Sequence, residues 1–391
     1  MSGGNEMQPK KILAVFPGDC LKTFYEKGEI KERYYNPGDF FDEVHFFTFC
    51  DDEVEPAKVR KLVGKARIFI HPLGSLNLLS IFTSKSVVLE EVKKANPSAI
   101  RAFTPSVHGF FAAYCANELK IPFVISIHGD FDRDVRYFYW KTWQLKNWLQ
   151  STYMQLLTER YAIASADKVI CAYSFPIPYA KAYGAKSVEV IYNKVYAERF
   201  DKAKPALALD APAVICVGRM IPEKNQECLV RAFALLKERN VKAKLVLIGN
   251  GPSYYSLVSL AKQLGVEKDV LFFKSVPNEE IPSYYKSARI FALPIKYGGV
   301  AIPVIEAMAA GLPVIVAKPE LDPRPELASE VGLVVSNAPE AFADSIEKLL
   351  KDDRLYEELK RKGLRKFKEI EGRKMEEREA KIYERLLKAG K

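Results

Sequence analysis

Residues 294–308 read Pro294-Ile295-Lys296-Tyr297-Gly298-Gly299-Val300-Ala301-Ile302-Pro303-Val304-Ile305-Glu306-Ala307-Met308. A short apolar run, 289–294, leads into a Gly-Gly turn. A helix start follows, with Pro303 at a first position where a missing N–H costs nothing. Strand, glycine turn and helix make one βα step of a parallel sheet. Glycine lets the backbone come close to a ligand, and the unpaired amides of the first helical turn suit an anion such as phosphate. Glu306, read as part of that first turn, would aim a carboxylate at a hydroxyl such as a ribose's. Taken alone, the segment reads equally as a plain connection carrying a surface glutamate.

Working outward, the same grammar repeats. In the second half, β-branched and aromatic runs at 214–218, 244–249, 270–274 and 313–317 alternate with helix-patterned segments. The first half shows runs at 11–16, 44–49, 66–71, 99–103, 122–128 and 168–173, with a helix at 83–95 stopped before Pro97. Residues 196–212 break the pattern and read as a linker. The expectation is therefore two doubly wound, Rossmann-like α/β domains: 1–195, then the linker, then 213–370, with a C-terminal helix at 371–391 returning to the N-terminal domain. Ligands of such sheets bind outside the carboxyl ends of the strands, here in a cleft between the domains.

Other strand exits add chemistry. Gly218 is followed by Arg219 and then Lys224, a cation pair suited to neutralising a diphosphate. The run at 244–249 ends in Gly249-Asn250-Gly251-Pro252, a second close-approach turn. Either feature by itself reads more simply as a surface loop. Together they crowd one edge of one sheet.

These segments, Gly218-Arg219 with Glu223-Lys224-Asn225, then Gly249-Asn250-Gly251-Pro252, then Gly299, Pro303 and Glu306 through Ile315, resemble the C-terminal domain of retaining GT-B glycosyltransferases of the GT4 group. The resemblance runs in order and spacing across residues 214–350. It implies that Arg219 and Lys224 hold the donor diphosphate and that amides around Val300, Ala301 and Ile302 meet phosphate. It also implies that Glu306 takes the donor ribose and that Val276 and Pro277 lie near the base. The family usually carries a second Glu eight positions before the first; here that position is Gly298, which leaves the donor sugar open. In the first half, Ile121 through Gly129 resembles the family's strand ending in His-Gly, which gives His128 a role at the reacting centre. Asn193, after Val190-Ile191-Tyr192, and Gly18, in the Pro17-Gly18-Asp19 turn, are the remaining ligand contacts it implies.

The implied reaction moves a hexosyl group from a nucleotide-diphosphate sugar, UDP-hexose ahead of GDP-mannose, to the hydroxyl of a sugar or lipid-linked acceptor. Configuration is retained, and no cofactor or metal is called for. Asp130-Phe131-Asp132 is an Asp-x-Asp, but in the half away from the donor residues, so it reads as a solvated loop or an acceptor contact. The rivals are a nucleotide-sugar epimerase or phosphorylase of the same architecture and a degenerate nucleotide-sugar binder. A dehydrogenase is disfavoured because no strand runs into a complete GxGxxG.

Composition sets the outer limits. The chain has 391 residues, 48% hydrophobic and 28% charged, and a net charge of +10. Residues 1–200 carry 26 Lys/Arg against 22 Asp/Glu and residues 201–391 carry 33 against 27, so the excess is spread out and does not form a nucleic-acid stripe. Six cysteines without CxxC spacing read as buried thiols of a cytoplasmic protein. No apolar run reaches the roughly 18–20 residues of a membrane span. All three tryptophans fall between Arg136 and Tyr161, interleaved with tyrosines, Lys141 and Lys146. That segment reads evenly as a membrane-interface element, giving peripheral contact at the inner face, or as a helix packing its aromatics inward. After Asp352, Leu355, Leu359, Leu364, Phe367, Met375, Ile382 and Leu386 recur at helical spacing, so these helices pack on something, and their charge run reads as a solvated face.

Overall fold

The computed structural model describes residues 10–28, 30–76, 80–296, 302–320 and 325–389. They form two compact units, Met1–Ile191 with Glu376–Lys391, and Tyr192–Met375. Each holds one parallel sheet with helices between successive strands, so the expected pair of doubly wound α/β sheets is what the chain builds.

The first unit contains β1 (Ile12–Phe16), β2 (Glu43–Thr48), β3 (Arg67–Pro72), β4 (Ala99–Ala102), β5 (Phe123–Ile127), β6 (Lys168–Cys171) and β7 (Val188–Val190), ordered β3-β2-β1-β4-β5-β6-β7. The central strands are buried along almost their whole length, as parallel strands covered on both faces must be. The strand order reverses at β1/β4. In the second unit, β8 (Ala213–Val217), β9 (Lys244–Ile248), β10 (Val270–Phe273), β11 (Ile290–Leu293), β12 (Val314–Ala317) and β13 (Leu333–Val335) are ordered β10-β9-β8-β11-β12-β13, reversing at β8/β11. The sequence reading finds every strand except β7 and β13. Both are three-residue edge strands, half-buried and too short to show a period. Within the stretch read as a linker, Ala197–Asp201 is a helical turn that buries Phe200 in the second unit.

Three expectations about side chains change. The last helix, Gly372–Ala389, does not carry only solvated charge: Glu376 and Glu379 are buried. Glu379 pairs with Arg101 of β4 at 3.1 Å, and Arg101 also donates to Ser126 of β5 at 2.6 Å. Glu376 takes Arg33 at 2.7 Å and the Gly38 amide at 2.9 Å. Tyr383 of the same helix packs edge-on against Phe41, ring centres 5.0 Å apart. Helical periodicity cannot show that these carboxylates meet cations more than 270 residues earlier. Next, Cys20 and Cys50 are not thiols but a disulfide; they follow β1 and β2, and pairing of those strands brings their Cα atoms to 6.3 Å. The other four cysteines are free and buried.

The third change concerns Asp130-Phe131-Asp132, read as a solvated loop or an acceptor contact: its first carboxylate is buried, and only Asp132 keeps a half-exposed side chain. Asp130 is buried and caps the helical turn Phe131–Arg136, accepting from the amides of Asp132 and Arg133 at 3.1 and 3.0 Å. Asp132 accepts from Arg136 at 2.7 Å.

Breaking a buried ion pair leaves an uncompensated charge, which costs about 3–5 kcal/mol. Glu379→Ala should lower the first thermal transition markedly, with Glu379→Gln, which keeps a hydrogen-bonding group against Arg101, falling between. Melting followed by circular dichroism checks this; an unshifted transition in Glu379→Ala would show that the pair holds nothing.

Candidate functional site

In the second unit the switch point lies between β8 and β11, and the loops there are tied backbone to backbone. Gly218 N donates to Ile248 O at 2.9 Å, Met220 N to Asn250 O at 2.8 Å and Ser253 N to Met220 O at 3.0 Å. The exits of β8 and β9 therefore lie flat on one another. A Cβ on Gly249 would stand 2.1 Å from Gly218 O, and one on Gly251 would stand 2.3 Å from Met220 O. Both have positive φ, +144° and +154°, so glycine is required on steric and conformational grounds alike.

Two side chains outside the sequence expectations extend this tie. Gln226, buried at the start of the helix Gln226–Glu238, donates to Arg219 O at 2.9 Å and steadies the bend that carries Arg219. Asn225 donates to Asn337 at 2.9 Å, and Asn337 donates in turn to Pro294 O and Ile295 O at 3.2 Å each. Lys296 N reaches Glu223 O at 2.8 Å. The Arg219–Lys224 loop and the exit of β11 are thus bridged at one sheet edge. Nothing in the sequence marks Asn337, because its role depends on a partner 112 residues away.

Arg219 is exposed and makes no ion pair or side-chain hydrogen bond among the described residues. Lys224 is half-buried and ends the turn Pro222–Lys224. Of the phosphate-loop residues expected, Gly298, Gly299, Val300 and Ala301 lie outside the described residues; Ile302 opens the helix Ile302–Ala310. That helix begins one residue earlier than the position of Pro303 suggests, so Glu306 falls beyond its first turn. Nor is Glu306 a surface residue: it is buried, and one of its carboxylate oxygens accepts from Tyr285 Oη at 3.0 Å. Tyr285 itself is wholly buried, and burial together with the Glu306 charge holds its hydroxyl firmly protonated. Val276 and Pro277 follow β10 at the same edge. Beside them Lys274 sits over the rings of Tyr254 and Tyr255, 4.6 Å from each centre, a cluster the sequence reading passed over. Asn193 belongs to this second unit, half-buried.

The first unit supplies Gly18 and His128, each just past the carboxyl end of its strand. Gly18 lies at the β1/β4 switch point, where a Cβ would meet Thr104 Cγ2 at 2.8 Å. His128 keeps an open face, but surrounding protein atoms crowd its ring. That desolvation, and then the Arg101 and Lys31 charges, push its imidazole down to about 4. Near neutral pH the ring is uncharged and can donate one N–H.

A profile described as glycosyl transferases group 1 matches residues 197–366, and one described as glycosyltransferase family 4 matches residues 42–199. The chain belongs to the GT4 group. Curated relatives include the GDP-mannose-dependent alpha-(1-6)-phosphatidylinositol monomannoside mannosyltransferase of Mycolicibacterium smegmatis, 33% identical over 37% of this chain and 40% of that protein. Another is the D-inositol 3-phosphate glycosyltransferase of Corynebacterium efficiens, 37% identical over 37% of this chain and 36% of that protein. The chain therefore aligns with less than half the length of either. Among solved structures, sucrose-phosphate synthase from Thermosynechococcus elongatus superposes with a TM-score of 0.70 at 18% identity, over 97% of this chain and 100% of that one. The Anabaena protein HepE, solved with UDP and glucose, gives 0.68 at 16%, over 96% and 99%. These structures establish the GT-B fold for this GT4 chain, and at such identity they establish the fold alone.

All four histidines of this GT4 chain lie in the first unit, and each is displaced downward chiefly by burial: His45, His71, His108 to about 4 and His128 to about 4. The unfolded chain takes up protons near the ordinary histidine value, whereas the folded form does so only at lower pH. Acid therefore favours the unfolded state, and this stability is complete above about pH 6.5 and lost as pH falls toward 4. The melting temperature should drop by several degrees between pH 7 and pH 5, and His108→Asn should flatten part of that slope. A melting temperature independent of pH over this range would overturn the assignment.

Proposed function

We propose that the protein is a retaining glycosyltransferase that moves a hexosyl group from a nucleotide-diphosphate sugar to an acceptor hydroxyl. The observation that carries this is the second-unit edge. An exposed Arg219 without a carboxylate partner among the described residues stands on a backbone-locked loop, bridged through Asn225 and Asn337 to the strand exit that leads to the helix Ile302–Ala310. In an α/β sheet such an edge is where a diphosphate is received.

In the step itself the bond between the anomeric carbon and the leaving phosphate oxygen breaks, and its electron pair stays with the nucleotide. The acceptor oxygen bonds to the same face of that carbon, and its proton passes to the phosphate oxygen that leaves. Charge accumulates on the departing diphosphate, so Arg219, Lys224 and the amides at the helix start do most of the catalytic work, preorganised before the sugar arrives. Glu306, its position set by Tyr285, receives the ribose hydroxyls, and Val276 and Pro277 flank the base. The neutral His128 imidazole donates to a sugar hydroxyl or to the developing phosphate charge, and Gly18 and Asn193 line the ligand path.

The donor is a hexose carried on UDP or GDP. UDP accompanies the solved HepE, and GDP-mannose stands in the name of the M. smegmatis relative. That relative's name also supports a lipid-borne acceptor, in glycan, glycolipid or cell-surface polysaccharide synthesis. A cytoplasmic enzyme working peripherally at the inner membrane face is the placement this reading takes. Among the described residues no helix is long and apolar enough to cross a membrane. Asp130 and Asp132 are engaged as a cap and as a partner of Arg136, so neither is a spare metal ligand.

A thermal-shift panel of nucleotide sugars tests the reading, since a donor that binds only the folded state raises the melting temperature by mass action. One UDP- or GDP-hexose should give a clear rise. Arg219→Ala should abolish that rise and reduce transfer by about two orders of magnitude or more, and EDTA should leave transfer intact. Donor turnover that needs no acceptor would instead support an epimerase, and a melting temperature unmoved by every nucleotide sugar would overturn the proposal.

A further inference from the structure

Ten large hydrophobic side chains are exposed among the described residues, and seven of them lie between 140 and 161: Trp140, Trp143, Leu145, Leu149, Tyr153, Leu156 and Tyr161. They are not scattered. On the helix Leu145–Met154 and the turn that follows it, Leu145, Leu149, Tyr153 and Leu156 recur every three or four residues, which puts them on one face. In a helix that packs on a core this stripe would be the buried one. Here it is turned outward, with Leu156 75% exposed, while Trp148, Thr152 and Gln155 occupy half-buried positions.

Two features hold the segment in this inverted pose. At its root Arg136 is buried and bonds Glu159 through both terminal nitrogens, at 3.1 and 3.0 Å. Tyr179 donates to Glu159 at 2.6 Å, and Tyr183 donates to Asp132 at 3.1 Å. This knot brackets residues 137–158 and uses polar groups inside the protein, where apolar ones are expected. At the tip, between the helices Tyr137–Lys141 and Leu145–Met154, Trp143 has φ +55° and is 89% exposed. A bulky residue in the left-handed region stores strain, and such strain gathers at functional positions. Its indole stacks on Trp140 with ring centres 6.4 Å apart, and Trp140 meets Trp148 at 5.6 Å.

The charges decide what covers this face. Between Arg136 and Glu159 the sequence contains Lys141 and Lys146 and not one acidic residue, in a chain of net charge +10. Both lysines are exposed. Tryptophan and tyrosine beside lysine, around an apolar stripe, match the layering of a bilayer's headgroup boundary: acyl chains for the leucines, the interface for the indoles, anionic headgroups for the ammonium groups. We propose that residues 137–158 form an interfacial anchor that lies in the surface of a membrane bearing anionic lipids. The inference deepens the reading of a lipid-borne acceptor. Its test needs neither donor nor transfer, so the two ideas fail separately.

Because all three tryptophans sit in the segment, the unlabelled protein reports on it directly. The full chain is mixed with vesicles of phosphatidylcholine alone, or of phosphatidylcholine with phosphatidylglycerol, and floated on a density gradient. With the anionic vesicles it should float, its indole emission should move to the blue, and lipids brominated in their acyl chains should quench it. Raised salt should weaken the effect. L149Q/L156Q should lower partitioning at least about tenfold through lost apolar burial. K141Q/K146Q should lower it roughly twentyfold on anionic vesicles and leave the phosphatidylcholine result unchanged. These side chains are exposed, so both variants should keep the parent's circular dichroism; should one misfold, quenching of the unmodified protein decides. Protein left at the bottom of the gradient with both lipid mixtures and indole emission untouched by brominated lipid overturns the proposal. So does a dimer in lipid-free solution that L149Q/L156Q dissociates, which would assign the face to a second copy.

Discussion

The second unit depends on one contact between backbones. The chain leaving β8 and the chain leaving β9 lie against each other so closely that a single methyl on Gly249 or Gly251 would fall within 2.1–2.3 Å of a carbonyl oxygen. With no side chain between them, the amides of one loop bond the carbonyls of the other. Arg219 is held on a rigid bend as a result, and Gln226 and the Asn225–Asn337 relay pass that rigidity to the exit of β11. A cation on a fixed bend is worth more to a developing negative charge than one on a free chain, because it does not reorganise during reaction.

The buried arginines of the first unit and Arg219 of the second are handled in opposite ways. In the first, three arginines are matched beneath the surface: Arg101 with Glu379 and Arg136 with Glu159, all four buried, and a half-buried Arg33 with the buried Glu376. Buried ion pairs add little net stability against well-packed apolar groups, and here each joins elements far apart in the chain. One fixes where the last helix lies; another fixes the root of the aromatic segment. At the edge of the second unit Arg219 is left exposed without such a match among the described residues, the condition under which a guanidinium remains available to an anion from outside.

The aromatic segment shows how a pattern can be legible and its direction not. Spacing of Leu145, Leu149, Tyr153 and Leu156 identifies one helical face whether that face points to the core or to the solvent. The choice is made by Arg136 and Glu159, 23 residues apart, which meet under the segment and occupy the buried side. The same holds for Asp130-Phe131-Asp132. As a sequence motif it reads as a solvated loop or an acceptor contact, and only the capping amides and the position of Arg136 show both carboxylates engaged.

By itself the sequence determined the repeating strand and helix order, the glycines at the β8 and β9 exits, and the cations of the Arg219–Lys224 loop. Each of these is a local property: burial on both faces writes an apolar run, a helix start or close approach writes glycine or proline, and spacing of a few residues survives folding. Only the tertiary structure decided the two three-residue edge strands, the Cys20–Cys50 disulfide, the placement of Asn337, the burial of Glu306 against Tyr285, and the pairing of Glu376 and Glu379 with the first unit's arginines. Each of those depends on a partner far along the chain, and contacts at long separation leave no periodic trace in the residues that make them.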